Sequence, residues 1–299
     1  MTETRMALLP DRGVVAVTGE DAEKLLQGVI TNDMGLLKTQ PAIHAGLLTP
    51  QGKILFEFFV VKTADGFRLE TAKDKAAELA GRLNLYKLRV AAEIKDVSAD
   101  YTVSAFWAGA YNPHPERKPP LIFTDPRLPE MGGRELVTIG SDWALGGEGA
   151  ITATQEDYHA HRIALGVPEG GRDYVFGDTF PHEALFDQLH GVSFEKGCYV
   201  GQEVVSRMEN RGTARKRVVP IVGEGPLPSS GVEIAAGTVQ IGRLGSVARQ
   251  RGLALLRLDR AIEMREKGEV LWAGSVPVRI ELPAWARFSL DVKTPGPPT

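Results

Sequence analysis

Cys198 is the only cysteine in 299 residues. It stands inside Leu189–Glu203, LHGVSFEKGCYVGQE, with Gly197 before it and Gly201 shortly after. Flanking glycines allow positive φ and let a ligand or another backbone come close. The neighbouring cation Lys196 favours the thiolate, the form that attacks electrophiles and binds metals. Glu203, Val204 and Val205 suit the first turn of a helix, whose N-terminus would lower the thiol pKa further. The same residues also suit a glycine turn around a small buried side chain, since free cysteines are among the most buried residues. One cysteine forms no internal disulfide. One thiolate also falls short of the roughly four that hold an iron–sulfur cluster, so a cluster would need ligands from a second protomer or a partner.

A second chemical candidate is Glu57, a charge inside the apolar run Ile54-Leu55-Phe56-Glu57-Phe58. Strand alternation sets it on the opposite face from Phe56 and Phe58. That face is either solvent or the lining of a binding opening. The six histidines, at 44, 114, 159, 161, 182 and 190, show no zinc spacing. Arg207, Arg211, Arg215, Lys216 and Arg217 form a basic run that suits a solvated surface or an anionic group. Gly237 to Gly245 lacks the strand–GxGxxG–helix context of a nucleotide loop.

The elements that must position these residues alternate between strand and helix. Gly13 to Thr18 reads as a strand, and Thr18-x-x-Asp21 as a capping-box-like start for a helix carrying Ala22, Leu25, Leu26 and Val29. Ala45 to Leu48, a Pro50-Gln51-Gly52 turn and Ile54 to Val61 predict a β-hairpin. Thr71-x-x-Asp74 repeats the helix start, followed by Ala76, Leu79, Leu83 and Tyr86. Strands are expected at Val90 to Val97, Tyr101 to Phe106 and Glu135 to Ile139. Asn112 to Met131 holds six prolines and reads as an exposed connection with one short strand at Leu121 to Phe123. Thr154-x-x-Asp157 opens a third helix, which stops at Gly166 before Pro168. After Arg217, glycine- and proline-punctuated apolar runs predict a separate small β-barrel or sandwich, with one helix near Arg260 to Glu266.

These signals give an α+β fold. The expected division is an α+β region at 1–215 made of two interleaved modules, a β-barrel at 216–293, and a disordered tail at 294–299. With 43% hydrophobic and 24% charged residues, a sizeable core is expected. A net charge of −3 argues against bulk nucleic-acid binding. No apolar run approaches the roughly 20 residues of a membrane span. Met1 to Pro10 has no apolar core of a signal peptide. The expected location is cytoplasmic, and the expected state is a monomer.

KGCYVGQE closely resembles the signature K-G-C-Y-x-G-Q-E of the YgfZ/Caf17/Iba57-like family. Other segments agree in order. LLQGVITND (residues 25–33) is similar to the family's L-Q-G-x-x-T-N-D segment, and PQGKI (50–54) to its glycine-lysine hairpin. LYKLR (85–89) resembles its L-Y-x-L-R helix end, and RIALGVP (162–168) its R-I-x-x-G-I/V-P. The resemblance runs over nearly the whole chain.

That family is related to the glycine-cleavage T-protein, an aminomethyltransferase. The resemblance implies a ring of folate-binding, ferredoxin-like α+β modules closed by a C-terminal β-barrel. It implies tetrahydrofolate as cofactor, and iron–sulfur enzymes or cluster-assembly proteins as partners. Any effect on tRNA modification would be indirect, through a thiolating radical enzyme. Carried onto this chain, it places Cys198, Lys196 and Glu57 in the working chemistry, with Cys198 a possible shared cluster ligand. Asn32, Glu57, Arg89, Glu183, Gly197, Tyr199 and Gln202 are assigned to the cofactor, with Glu183 as the pterin-contacting acid. At the T-protein's catalytic aspartate stands Glu57, longer by one methylene, and the acid before it is replaced by Phe56. The function implied is a folate-binding accessory factor for iron–sulfur proteins. The alternatives are a one-carbon transferase using Glu57, and a non-catalytic folate-binding scaffold.

Overall fold

A computed structural model describes residues 3–111, 121–141, 145, 147, 149–212 and 214–290. The chain enters through β1 (Arg5–Leu8), β2 (Arg12–Thr18) and α1 (Ala22–Val29). The hairpin β3 (Ala42–Leu48) and β4 (Ile54–Thr63) follows, then β5 (Gly66–Ala72), α2 (Lys73–Lys87) and β6 (Glu93–Asp96). Next come β7 (Tyr101–Trp107), β8 (Leu121–Thr124), β9 (Gly133–Thr138), β10 (Ile151–Thr152) and α3 (Gln155–Leu165). A long irregular segment leads to α4 (Gln202–Arg211). The remainder is β11 (Lys216–Gly223), β12 (Glu233–Ala236), β13 (Val239–Ala248), β14 (Arg251–Arg257), α5 (Leu258–Glu266), β15 (Leu271–Ala273) and β16 (Val276–Ile280).

The strands form two open sheets of five and one closed barrel. The first sheet runs β3-β4-β5-β2-β6, and the second β10-β1-β7-β9-β8. β1 thus belongs to the second sheet while β2, three residues on, belongs to the first, which interleaves the two modules at the N-terminus. The barrel closes in the order β11-β14-β13-β12-β15-β16. It has its own apolar interior, including Val219, Ile221, Leu244 and Leu256, and α5 adds Leu258, Ala261 and Met264.

Strand alternation gives the first sheet two faces of different character. Val15, Val17, Ile43, Ala45, Phe56, Phe58 and Val60 meet α1 and α2 through Leu25, Leu26, Leu79 and Leu83. The opposite face carries Val14, Phe59 and Val61, which pack with Ala7, Val103 and Leu136 of the second sheet. Glu57 and Glu70 lie on this inter-sheet face and are buried. The face opposite Phe56 and Phe58 is therefore neither solvent nor an open lining at Glu57; it is a sheet–sheet interface with charges in it.

Of the three T-x-x-D segments, one caps a helix. Thr154 Oγ1 accepts from the Asp157 N–H at 3.1 Å, and Asp157 Oδ2 accepts from the Thr154 N–H at 3.0 Å. Thr18 and Thr71 instead end up in strands β2 and β5. There the Thr71 hydroxyl donates to the Glu57 carbonyl. Strand pairing competed for these backbones and won. Gly166 ends α3 at φ +78, where a Cβ would stand 2.8 Å from Pro220 Cγ of the barrel. The connection read as exposed is not so throughout: Asp125 and Arg127 are buried, while residues 112–120 lie outside the described residues. The tail at 294–299 also lies outside them.

A charged layer joins the three units. Arg162 of α3 is fully buried and donates to Asp173 Oδ2 at 2.6 Å, to the Val167 carbonyl at 3.1 Å and to Ser246 Oγ of the barrel at 2.6 Å. Its Nε donates to His159 Nδ1 at 3.0 Å, which requires that nitrogen to be unprotonated. Arg12 bonds Glu70 at 2.6 Å, with Arg134 3.6 Å away. Glu169 lies 3.5 Å from Arg162 and 3.2 Å from Arg172. Burial raises the Glu169 pKa, but the charges of Arg162 and Arg12 outweigh it and hold the group at about 2.

Removing one partner of a buried ion pair costs about 3–5 kcal/mol. Arg162→Met is therefore expected to lower stability by about that amount, read from urea unfolding. Burial also lowers His159 to about 4, whereas an unfolded histidine titrates near about 6.5. Between those values the unfolded chain binds more protons, so this ring's contribution is complete above the unfolded pKa and fades as pH falls. His159→Gln should flatten the decline of the unfolding midpoint over that window; an unchanged slope would exclude His159 as its source.

Candidate functional site

Two segments far apart in sequence form the seat of the thiol. The turn between β3 and β4 places Gly52 at φ +80, and Gly201 stands before α4 at φ +81. A Cβ on Gly201 would lie 2.5 Å from the Thr49 carbonyl oxygen and 3.0 Å from Gly52 Cα. A Cβ on Gly52 would lie 2.9 Å from Val204 Cβ. The two backbones touch, so neither position has room for a larger residue. Lys53 reaches the Asp178 carbonyl and lies over the Phe180 ring, 3.5 Å from its centroid.

Lys196 and Tyr199 anchor the loop on either side of Cys198. The Lys196 ammonium donates to the carbonyls of Gln27, Ile30 and Asn32 at 2.7, 2.8 and 2.8 Å. These carbonyls lie at the end of α1, where a cation is favoured. The three bonds use all three ammonium protons. Lys196 thus serves as a tether to α1 rather than as the free cation beside the thiol that sequence spacing suggested. Burial pushes its pKa down to about 8, partly opposed by Asp33. Tyr199 packs with Leu48, Ile54, Phe186 and Val205. Between these anchors Gly197 and Cys198 are exposed.

The Thr31-Asn32-Asp33 segment ties the same region together. Thr31 Oγ1 donates to the Gly191 carbonyl at 2.6 Å and accepts from the Gly46 N–H at 2.8 Å. Asn32 Nδ2 donates to the carbonyls of His44 and His190, both at 2.7 Å, and Oδ1 accepts from the Asp33 N–H. Beside it opens a cleft of about 660 Å3. Asn32, His44, Asp125, His190, Phe194 and Glu195 are among its lining residues.

Glu57 lies behind that cleft wall, and both its oxygens are engaged. Oε1 meets His44 Nε2 at 3.0 Å; Oε2 accepts from the Gly170 N–H at 2.9 Å and from the Tyr174 hydroxyl at 2.7 Å. Arg127 is 3.8 Å away and is itself locked onto Asp125 at 2.8 Å. Burial raises the Glu57 pKa, but the hydrogen bond and charge of His44, then Arg127 and Tyr174, hold it well below the usual carboxylate range. His44 Nδ1 lies 3.0 Å from the Leu189 carbonyl. Both ring nitrogens thus face oxygen acceptors, one on Glu57 and one on the Leu189 carbonyl.

The remaining assigned residues are scattered. Glu183 Oε2 accepts from the Phe180 N–H at 2.9 Å. Arg89 is exposed beyond the end of α2, and Gln202 opens α4. Of the residues assigned to a folate, Asn32 alone lines the 660 Å3 cleft. The basic run also divides: Arg207, Arg215 and Lys216 are exposed, whereas Arg217 is buried and makes a two-pronged pair with Asp187 at 2.8 and 2.9 Å. His182, Asp187 and Glu209 bring potential ligand atoms within 4.8 Å of one another, but Arg217 already holds Asp187. His44, Arg127, Tyr174 and Glu169 escaped the sequence reading. Only the charge pattern of Glu57, a buried acid demanding partners, hinted at them.

Comparison with known proteins places this geometry. Residues 215–288 match the model of the CAF17 C-terminal beta-barrel domain. The chain is 32% identical to the human mitochondrial iron-sulfur cluster assembly factor IBA57, over 90% of this chain and 83% of that one. It is 33% identical to the mouse protein of the same name, over 84% and 77%. It is 35% identical to an IBA57 homolog of Mycosarcoma maydis, also mitochondrial, over 73% of this chain. This chain spans little more than half of that fungal relative, 57%, and 54% of one from Neurospora crassa. These relatives are mitochondrial proteins, which overturns the expected cytoplasmic location. A solved structure, the glycine cleavage aminomethyltransferase T of Bartonella henselae, superposes with a TM-score of 0.74 over 95% of this chain and 86% of that one. At 14% identity, that likeness concerns the fold. With the signature loop, the barrel and the mammalian relatives in agreement, the chain belongs to the YgfZ/Caf17/Iba57 family, built on the T-protein fold.

Proposed function

We propose that this protein is an iron–sulfur cluster assembly factor whose working group is the Cys198 thiol. The observation that carries the reading is the position of that thiol: the sole cysteine, exposed, on a loop anchored by Lys196 and Tyr199. The relatives named as iron-sulfur cluster assembly factors support it. On ligating iron the thiol gives its proton to solvent and supplies one thiolate. Since a cluster takes about four ligands, the rest come from a partner protein. The cluster is therefore cargo held between two proteins rather than a resident group. An effect on tRNA modification would follow only through an iron–sulfur client.

Of the two acids assigned to tetrahydrofolate, Glu57 does not fit a pterin contact. Pterin recognition uses a carboxylate with a lone pair on each oxygen open to a paired N–H and amino group. Both Glu57 oxygens are taken by buried protein donors, whereas Glu183 accepts one bond, from the Phe180 N–H, and keeps accepting capacity. The alternative of one-carbon transfer also loses its base. An acid/base group works best with a pKa near the working pH, and Glu57 is held far below it.

Cys198→Ser is expected to abolish maturation of iron–sulfur enzymes in a cell lacking the native protein, with an unchanged unfolding midpoint. Full rescue by that variant would remove the thiol from the mechanism. Lys196→Met leaves three carbonyls without their donor. It should lower stability by about 1–3 kcal/mol and speed hydrogen exchange at residues 30–33 and 194–198. Glu57→Gln should destabilise the protein by about 2 kcal/mol or more with or without tetrahydrofolate; calorimetry with the ligand present checks both statements.

A further inference from the structure

The LYKLR segment at the end of α2 takes no part in the site, yet α2 is apolar on two sides. Ala76, Leu79, Ala80 and Leu83 are buried against the first sheet. Ala77, Gly81, Leu85 and Leu88 are exposed. The spacing of four residues aligns Ala77, Gly81 and Leu85 along one stripe, and Leu88 follows just beyond the helix end. Leu88 at 87% and Leu85 at 69% are the most exposed large hydrophobic side chains among the described residues. Leu88 also holds φ +45 and ψ −107 with its side chain in water. Such a backbone costs on the order of 1–3 kcal/mol in a non-glycine residue.

Charge is distributed unevenly along the stripe. Near the start of α2, Lys75 pairs with Glu78 at 2.9 Å, and Asp74 stands beside Lys73. Near its end lie Arg82, Lys87 and Arg89. The carboxylates there are engaged: Glu93 with Lys95 at 2.5 Å, and Asp21 with the Ala91 N–H at 2.9 Å. Small residues at Ala77 and Gly81 permit close approach of a second helix, since interaxial distance follows the side chains at the contact. Leu85 and Leu88 then act as anchors, and the basic end selects negative charge.

We infer that the outer face of α2 is a docking surface for an amphipathic helix of a partner protein, with an apolar stripe flanked by carboxylates. The inference is independent of the role given to Cys198. The probe is a stapled helical peptide with leucines at i, i+4 and i+7 and glutamates beside them, titrated into the full chain by fluorescence anisotropy. Saturable binding is expected, weakened about tenfold or more by the pair Leu85→Ser and Leu88→Ser, and weakened by Arg89→Glu and by added salt. Because these side chains are exposed, the variants should keep the parent circular dichroism. Leu88→Gly should weaken binding while raising the unfolding midpoint, since glycine relieves the positive φ. The inference is overturned if the peptide does not bind, if it binds the double serine variant equally, or if a lysine-flanked peptide binds as well. Concentration-dependent self-association lost in the double serine variant would overturn it too, by making the occupant a second copy.

Discussion

Carboxylates taken out of water need opposite charge and hydrogen-bond donors close by, and the face between the two sheets is built around that demand, met at both oxygens of Glu57 and at one oxygen of Glu70. Glu57 and Glu70 project from the first sheet into an interface that apolar residues alone could have filled. Once there, they require His44, Tyr174, Arg127, Arg12 and Arg134 in defined places. Arg162 extends the layer to the barrel through Ser246. A buried charge network is weak evidence for stability, because desolvation offsets much of the attraction. Its clearer consequence is geometric: apolar surfaces can slide over one another, whereas a set of directional bonds fixes the three units in one relation.

That relation determines what the site can be. The resemblance to the T-protein implied a Glu57 turned towards a ligand; here the carboxylate faces inward to four protein groups. The chemistry left at the surface is a thiol. The fold is shared with an aminomethyltransferase, but function resides in a site and not in a fold.

Much of this was legible in the residues. The periodicities of Ala22–Val29 and of the β3–β4 hairpin, and the box at Thr154–Asp157, are local signals and appear where they were read. The misreadings arose where a local signal met a distant partner. Thr18 and Thr71 carry the same motif as Thr154, but their backbones were claimed by strands that pair across the sheet. Lys196 was read by its neighbour in sequence, whereas its partners lie more than 160 residues away, in the last turn of α1 and just beyond it. Arg127 sits among prolines that suggest an exposed loop, and only the sheet packing shows that it supports Glu57. Short β12, β15 and β16 carry too few residues for alternation to show.

The contact of Gly52 with Gly201 has a consequence for ligand exchange. With backbone against backbone on one side and the Lys196 tether on the other, the loop bearing Cys198 has few alternative conformations to lose when the sulfur is ligated. The entropy of ordering is therefore borne by the incoming partner. A sulfur held in this way favours neither capture nor release through its own rearrangement. Under the role proposed for Cys198, the lifetime of a shared cluster is then governed by the flexibility of the other protein's ligands, which suits a group meant to be passed on.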